Sequence, residues 1–281
     1  MYLRPASLEE ALTRRAEGAL VLAGATDLLP AAGEAGLTGS FVDVSRLEPL
    51  RGISRSGGAF RIGGATTWSE IANADLPPAF DALKAAAREV GAIQIQTRGT
   101  VAGNLCNASP AADGVPPLLA LDAEVELASR RGLRRLPLSR FLRGVRRTEL
   151  AADEILTAVI CPEPAPETRS AFLKLGGRRY LVISIAMVAV ALDVEGGAVR
   201  AARMALGACS AVATRLPAAE SRLAGQPARE GLGSILRLED FAALTPIDDV
   251  RASADYRRDA ALTLTRRALD LCLGGQSGGS V

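Results

Sequence analysis

Histidine is absent from all 281 residues. That excludes a Ser-His-Asp hydrolase, a His-ligated metal centre and a His general base from this chain. Cysteine is sparse. Cys106, Cys161, Cys209 and Cys272 lie too far apart for a zinc or iron–sulfur spacing. They read as small buried or half-buried residues. Any chemistry therefore falls to a bound cofactor. An excess of one charge is also lacking, since 33 Lys and Arg face 31 Asp and Glu. Neither nucleic acid nor an anionic membrane is expected as a partner. The longest apolar run, Leu181–Leu192, is interrupted by Ser184 and is too short to cross a bilayer. Arg4, Glu9 and Glu10 occupy the region where a signal peptide needs unbroken apolar sequence. The expectation is a soluble, cytoplasmic protein with no integral membrane segment.

The 281 residues are enough for two or three domains, and nearly half of them are hydrophobic, enough for a sizeable core. Ser7 with Glu10 reads as a capping box for a helix over Leu8–Ala16. Gly18 stops it, and the short strand Ala19–Ala23 runs into Gly24-Ala25-Thr26-Asp27. A helix or turn follows near Leu28, then a strand Ser40–Val44. This alternation argues for a small α/β unit. Gly57-Gly58 predicts a hairpin between Arg51–Arg55 and Ala59–Ile62. Thr67 caps a short helix over Trp68–Ala74, and Pro77-Pro78 opens another over Ala79–Val90. After the next loop come helix Pro116–Leu121, strand Ala123–Leu127, a solvated basic turn at Arg130–Arg135 and strand Ile155–Ile160. The proline-rich stretch Cys161–Thr168 reads as a linker. Beyond it, Ser170–Leu175, Ile183–Val194 and Val199–Gly207 form a meander, with Gly196-Gly197 turning one hairpin. Helices follow at Ala218–Leu223, Leu238–Leu244 and Tyr256–Leu273, and Gly274–Val281 reads as a frayed tail.

Two stretches point to a ligand. Leu22–Leu29 (LAGATDLL) and Gly91–Asp113 (GAIQIQTRGTVAGNLCNASPAAD) set small residues, hydroxyls and amides around tight turns. The turns Gly24–Asp27 and Thr100–Asn104 are expected to expose successive backbone N–H groups, which make an anion nest. Thr26, Thr100 and Ser109 add hydroxyls. A diphosphate bridging both loops is a natural ligand. Neither loop carries the G-x-G-x-x-G fingerprint or a Walker A lysine. Asp113 either caps the helix Gly114–Leu121 or accepts hydrogen bonds from a ribose or adenine.

Here the residues resemble a family. Thr100–Asn104 with Ser109-Pro110-Ala111-Ala112-Asp113 is similar to the T-I-G-G-N…S-P-x-x-D signature of the FAD-binding medium subunit of molybdenum hydroxylases. Leu22–Leu28 resembles its A-G-G-T-D-L, Ile62–Thr67 its I-G-A-x-T-T, and Phe172-Leu173-Lys174 with Arg178-Arg179 its F-x-K-x-x-x-R. Ala205-Leu206-Gly207-Ala208 with Glu220 and Gly225 resembles its L-G-A…A-E…L-x-G, and Asp255-Tyr256-Arg257-Arg258 its closing Y-R-R. Relatives include the medium subunits of carbon monoxide dehydrogenase, nicotinate, quinoline and aldehyde-type hydroxylases, and the central domain of xanthine dehydrogenase.

The resemblance implies an α+β, PCMH-type FAD-binding fold. It would comprise two α/β subdomains, residues 1–55 and 56–165, and a C-terminal domain, 166–281, with a three-stranded antiparallel sheet and helices. It implies non-covalent FAD, no catalytic side chain and no metal in this chain. Val21, Leu22, Ala23, Gly24, Ala25, Thr26, Asp27 and Leu28 would cradle FAD together with Thr100, Val101, Ala102, Gly103 and Asn104. Asp113 would lie toward the adenosine end, with Val90, Leu156 and Lys174 at further contact positions. Lys174 is the one cation in this set; a solvated strand-edge lysine is the lesser alternative reading. The implied partners are a large molybdopterin-binding subunit and a small [2Fe–2S] subunit, in a dimer of heterotrimers that passes electrons through FAD to an external acceptor. A stand-alone flavin oxidoreductase of the same fold and a cofactor-free scaffold subunit are the alternatives. The lack of histidine counts against the first. The family's double glycines are here Gly24-Ala25 and Ala102-Gly103, and a left-handed alanine at either would strain the site. Tyr180 either packs near the ring or begins a strand.

Overall fold

The computed structural model describes residues 1–274. Apart from Gly274, the tail expected to fray lies outside the described residues. The chain divides into two compact units. The first comprises Met1–Ala74, Val90–Ser109 and Asp122–Glu163; the second comprises Asp75–Glu89, Pro110–Leu121 and the described residues from Pro164 onward.

The first unit contains a three-stranded parallel sheet in which Phe41–Asp43 lies between Tyr2–Leu3 and Leu20–Leu22. The helix Leu8–Ala16 begins at Ser7, whose hydroxyl accepts the Glu10 N–H while the Glu10 carboxylate accepts from Ala6. Its Ala11 and Leu12 pack with Val42, Val44, Leu47 and Leu50. The unit's other sheet is antiparallel with five strands. Their order is Ile53–Ser56, Ala59–Gly63, Ile155–Pro162, Glu124–Ser129, Gly132–Pro137. Gly57 and Gly58 turn its first hairpin with φ of 58° and 72°, values a primed turn requires and a side chain resists. Ile155–Pro162 runs through the middle and is buried except at its last residue, which is why its sequence is apolar but for Thr157, whose hydroxyl bonds to Glu126.

Of the basic stretch expected as a solvated turn, Arg130 and Arg131 do turn, but the rest corrects to an edge strand, Gly132–Pro137, paired with Glu124–Ser129. Its alternation is electrostatic. Arg134 bonds to Glu154 and Arg135 to Glu126, so no apolar period of two marks it.

The second unit is built on an antiparallel sheet ordered Arg169–Leu175, Ala186–Glu195, Ala198–Gly207, Thr214–Arg215. The expected meander is present, extended by a fourth strand of two residues. The side chains of Ala186–Glu195 alternate between two cores. Val188, Val190 and Leu192 pack with Leu223 of helix Pro217–Leu223 and with Ala261, Ala268 and Leu269 of helix Ala254–Leu273. Met187, Ala189 and Ala191 meet Ala82 and Ala86 of helix Asp81–Glu89 and Ala120 of helix Val115–Ala120.

Two further elements differ from expectation. The strand predicted from Ile183 begins only at Ala186, because Leu181 is left-handed (φ 54°) and Ser184 turns inward to donate to Asp113. The helix expected over Leu238–Leu244 is a single 3-10 turn, Leu238–Phe241, whose Asp240 accepts from the Arg237 N–H.

Candidate cofactor site

A cleft of about 530 Å³ opens in the first unit. That is within the usual range for small-molecule and cofactor sites, about 300–1,000 Å³. One wall is the strand Leu20–Leu22 and the loop that carries it into helix Leu28–Ala32. The helix Val101–Asn107 supplies another, through Ala102, Gly103, Asn104, Cys106 and Asn107. Glu154, Ile155 and Leu156 bound it at the start of the central strand, with Trp68, Val90 and Ile95 completing the lining.

The structure gathers most of the residues singled out from sequence. Val21, Leu22, Ala23, Gly24, Ala25, Thr26, Asp27 and Leu28 line the cleft, as do Val90, Thr100, Ala102, Gly103, Asn104 and Leu156. Val101 does not. It is wholly buried, and its N–H donates to the Thr66 carbonyl. Asp113 and Lys174 belong to the second unit, where they form an ion pair of 2.8 Å. Asp113 does not cap the following helix. Its carboxylate accepts from Lys174 and from the Ser184 hydroxyl, and the helix N-cap is Gly114 with no side-chain bond. Lys174, though on an edge strand, is not solvated, its side chain being only 8% exposed. Residues missed from sequence include Arg15, Trp68, Cys106, Arg146 and Glu154. They come from scattered elements with no shared motif.

The loop Gly24–Leu28 has the character expected of it. Among the described residues, none of its five N–H groups has a hydrogen-bond partner. Ala25 is left-handed at φ 56°, so the first of the two alanines is strained. An alanine in that region costs about 1 kcal/mol. Ala25→Gly is therefore expected to raise the thermal midpoint by about 2 °C and to leave FAD affinity equal or tighter. Thermal unfolding and a fluorescence titration check this; a lower midpoint would contradict the strain.

The other loop is corrected. Thr100–Asn104 is not an open turn but the start of a helix, with Thr100 as N-cap. From Val101 to Asn104 its N–H groups are taken. Val101 donates to Thr66 O, Ala102 to Gly64 O, Gly103 to the Thr100 hydroxyl and Asn104 to Thr100 O. No nest remains there. Ala102 has no positive φ and carries no strain. This segment offers the cleft something else: the Asn104 Oδ1, buried and without a partner among the described residues, and the bare Cα face of Gly103.

Charge in the cleft is mostly spoken for. Arg134 donates to both oxygens of Glu154 at 2.6 and 2.8 Å and holds its pKa below the usual carboxylate range. The Cys106 thiol is pushed by burial up to about 12, against a weaker pull from Arg15, so it is no nucleophile at neutral pH. Among the described residues no group of three or more Cys, Asp or Glu could hold a metal. No helix there is long and apolar enough to cross a membrane.

Comparison with known families decides the assignment. Residues 1–164 match the family described as the FAD binding domain in molybdopterin dehydrogenase, and residues 171–271 match the CO dehydrogenase flavoprotein C-terminal domain. The chain belongs to this molybdopterin dehydrogenase flavoprotein family. It is 30% identical over 283 residues to the xanthine dehydrogenase FAD-binding subunit of Escherichia coli O157:H7, covering 99% of this chain and 97% of that one. It is 36% identical over 211 residues to the nicotinate dehydrogenase FAD-subunit of Eubacterium barkeri, covering 73% and 69%. Among solved structures, a chain of carbon monoxide dehydrogenase from Hydrogenophaga pseudoflava superposes with a TM-score of 0.86 at 28% identity, covering 96% of each chain. The PCMH-type fold and the oxidoreductase class that the motifs implied are thus those of a flavoprotein subunit, with FAD as its cofactor. The cleft suits that cofactor. It offers unpaired N–H groups for a diphosphate, an orphaned amide oxygen for a ring N–H, and apolar walls for an aromatic system.

Proposed function

We propose that this chain is the FAD subunit through which a molybdenum hydroxylase passes electrons from the [2Fe–2S] clusters of a small partner to an external acceptor. Substrate oxidation then takes place at the molybdopterin centre of a large partner, and the three subunits pair into a dimer of heterotrimers. The observation that carries the reading is the run of unpaired N–H groups from Gly24 to Leu28 along an apolar cleft of cofactor size. Bound FAD supplies the redox chemistry, while the protein binds, orients and tunes it.

In this reading Val21–Leu28 hold the diphosphate region. Asn104 fixes a polar edge, and Leu22, Val90, Trp68 and Leu156 keep water from the ring. Ala102 and Gly103 leave the helix face low enough for close approach. Asp113 and Lys174 keep the place that the family resemblance gives them among the cofactor contacts. No side chain need act as acid or base, in keeping with the absence of histidine and the raised pKa of the Cys106 thiol.

The test is cofactor content. The purified full-length chain is expected to carry one FAD, and acid precipitation is expected to release all of it to the supernatant. Flavin remaining in the pellet would mean a covalent bond. A chain that neither carries nor takes up FAD would leave the scaffold alternative standing.

A further inference from the structure

The cleft has a second polar corner, at the last turn of helix Val101–Asn107. Arg146 stands there, between the strands Leu142–Gly144 and Arg147–Thr148 of a small hairpin. Its backbone is left-handed at φ 57°, a conformation that glycine adopts freely and a bulky residue does not. Its N–H donates to Ala108 O at 3.0 Å. Nη1 donates to the Asn107 carbonyl and to its side-chain Oδ1, capping the helix. Nε and Nη2 have no partner among the described residues, and the side chain is exposed at the cleft.

Arg15 borders the same cleft. Its Nε and Nη1 donate to Glu154 O and Ala19 O, which leaves Nη2 over. Arg15 also acts on the Cys106 thiol, next in sequence to Asn107. Two guanidinium groups with spare donors therefore flank one turn of one helix. Of the two lining acids, Glu154 is neutralised by Arg134, and Asp27 lies on the glycine loop. Capping a helix needs a single nitrogen, and the left-handed turn would be relaxed by glycine. The residues that carry the remaining donors line a cleft that already holds one set of unpaired N–H groups.

We propose that Arg146, assisted by Arg15, forms a distinct anion subsite of this cleft and contacts a negatively charged group of bound FAD. That group is either the diphosphate or the N1–C2=O edge of the ring, which gains charge on reduction. The inference rests on the FAD reading above.

The test uses the full-length chain with Arg146→Gln and Arg146→Gly. FAD is titrated at low and moderate salt, ADP is titrated alone, and the midpoint potential of the bound flavin is measured. Both variants are expected to bind FAD about tenfold more weakly, the loss of one charge-assisted hydrogen bond, and to lose part of the salt dependence. Arg146→Gly, which relaxes the turn, is expected to unfold at a higher temperature than Arg146→Gln while binding no better. That separates a cofactor contact from a folding effect. An equal loss for ADP assigns the subsite to the diphosphate. Unchanged ADP binding with a lowered midpoint potential assigns it to the ring. Wild-type values for FAD affinity, salt dependence and potential in both variants would overturn the subsite. Failure of the wild-type chain to bind FAD would overturn the cofactor reading itself, and the subsite with it.

Discussion

Gly24→Ala is expected to abolish retention of FAD and to destabilise the first unit by about 3 kcal/mol, the upper end for overpacking. A Cβ at position 24 would stand 2.0 Å from the carbonyl oxygen of Arg98 and 2.9 Å from the Cα of Gly99. Both are backbone atoms, so no rotamer change relieves the clash, and the two loops must part. Parting them moves the Gly24–Leu28 N–H groups away from helix Val101–Asn107, and the cleft loses the relation between its walls. The effect should be local. The second unit, with its own sheet and helices, should keep its secondary structure and its protection from hydrogen exchange. Flavin content and thermal unfolding of the full-length variant check the prediction. Bound FAD at wild-type stoichiometry would mean that the loops can separate without loss of the site.

That clash also explains what the sequence could and could not disclose. Small residues in Leu22–Leu29 and Gly91–Asp113 mark backbone that must come close to something. Part of that something proves to be the other loop: Gly24 is small because Arg98 and Gly99 press on it, while Ala25, Gly91 and Ala108 bear a left-handed backbone. Smallness reports close approach but not what approaches. The same limit applies at Thr100–Asn104, where a polar run with a bare glycine looks like an open nest. Local sequence does not reveal that Thr66 and Gly64 carbonyls from another segment consume its donors.

The elements themselves were largely legible. Ser7, Thr67, Gly57-Gly58 and Gly196-Gly197 punctuate the chain with cap and turn chemistry that acts within a few residues, and each functions as expected. Packing partners were not legible. Helices Asp81–Glu89 and Val115–Ala120 precede the linker, yet they cover one face of the sheet that follows it. Their apolar faces say that something is buried, not against what. The alternation of Val188, Val190 and Leu192 with Met187, Ala189 and Ala191 is hidden for the same reason. A strand buried on both faces shows no polar–apolar period.

The ion pair inside the second unit supports the other large prediction. Lys174 Nζ donates to Asp113 Oδ2 at 2.8 Å and to the Glu89 carbonyl at 3.3 Å, and Ser184 holds the other carboxylate oxygen at 2.7 Å. Both side chains are less than a tenth exposed, and burial raises the Asp113 pKa against the pull of Lys174. Lys174→Met strands the carboxylate, and breaking a buried pair from one side costs about 3–5 kcal/mol. With its cation gone, Asp113 rises further, and a carboxyl raised above its unfolded value loses stability as pH climbs through the folded value. The single variant should therefore be less destabilised near about pH 5 than near about pH 8. Adding Asp113→Asn removes the stranded charge, and most of the stability should return. FAD affinity then separates two roles. The lysine has three donors and, among the described residues, two acceptors, so one is left for the cofactor contact proposed for it. The double variant is expected to unfold close to the wild-type temperature while binding FAD about tenfold more weakly. Wild-type affinity in that restored chain would confine Lys174 and Asp113 to holding their own unit together and remove them from the cofactor's contacts.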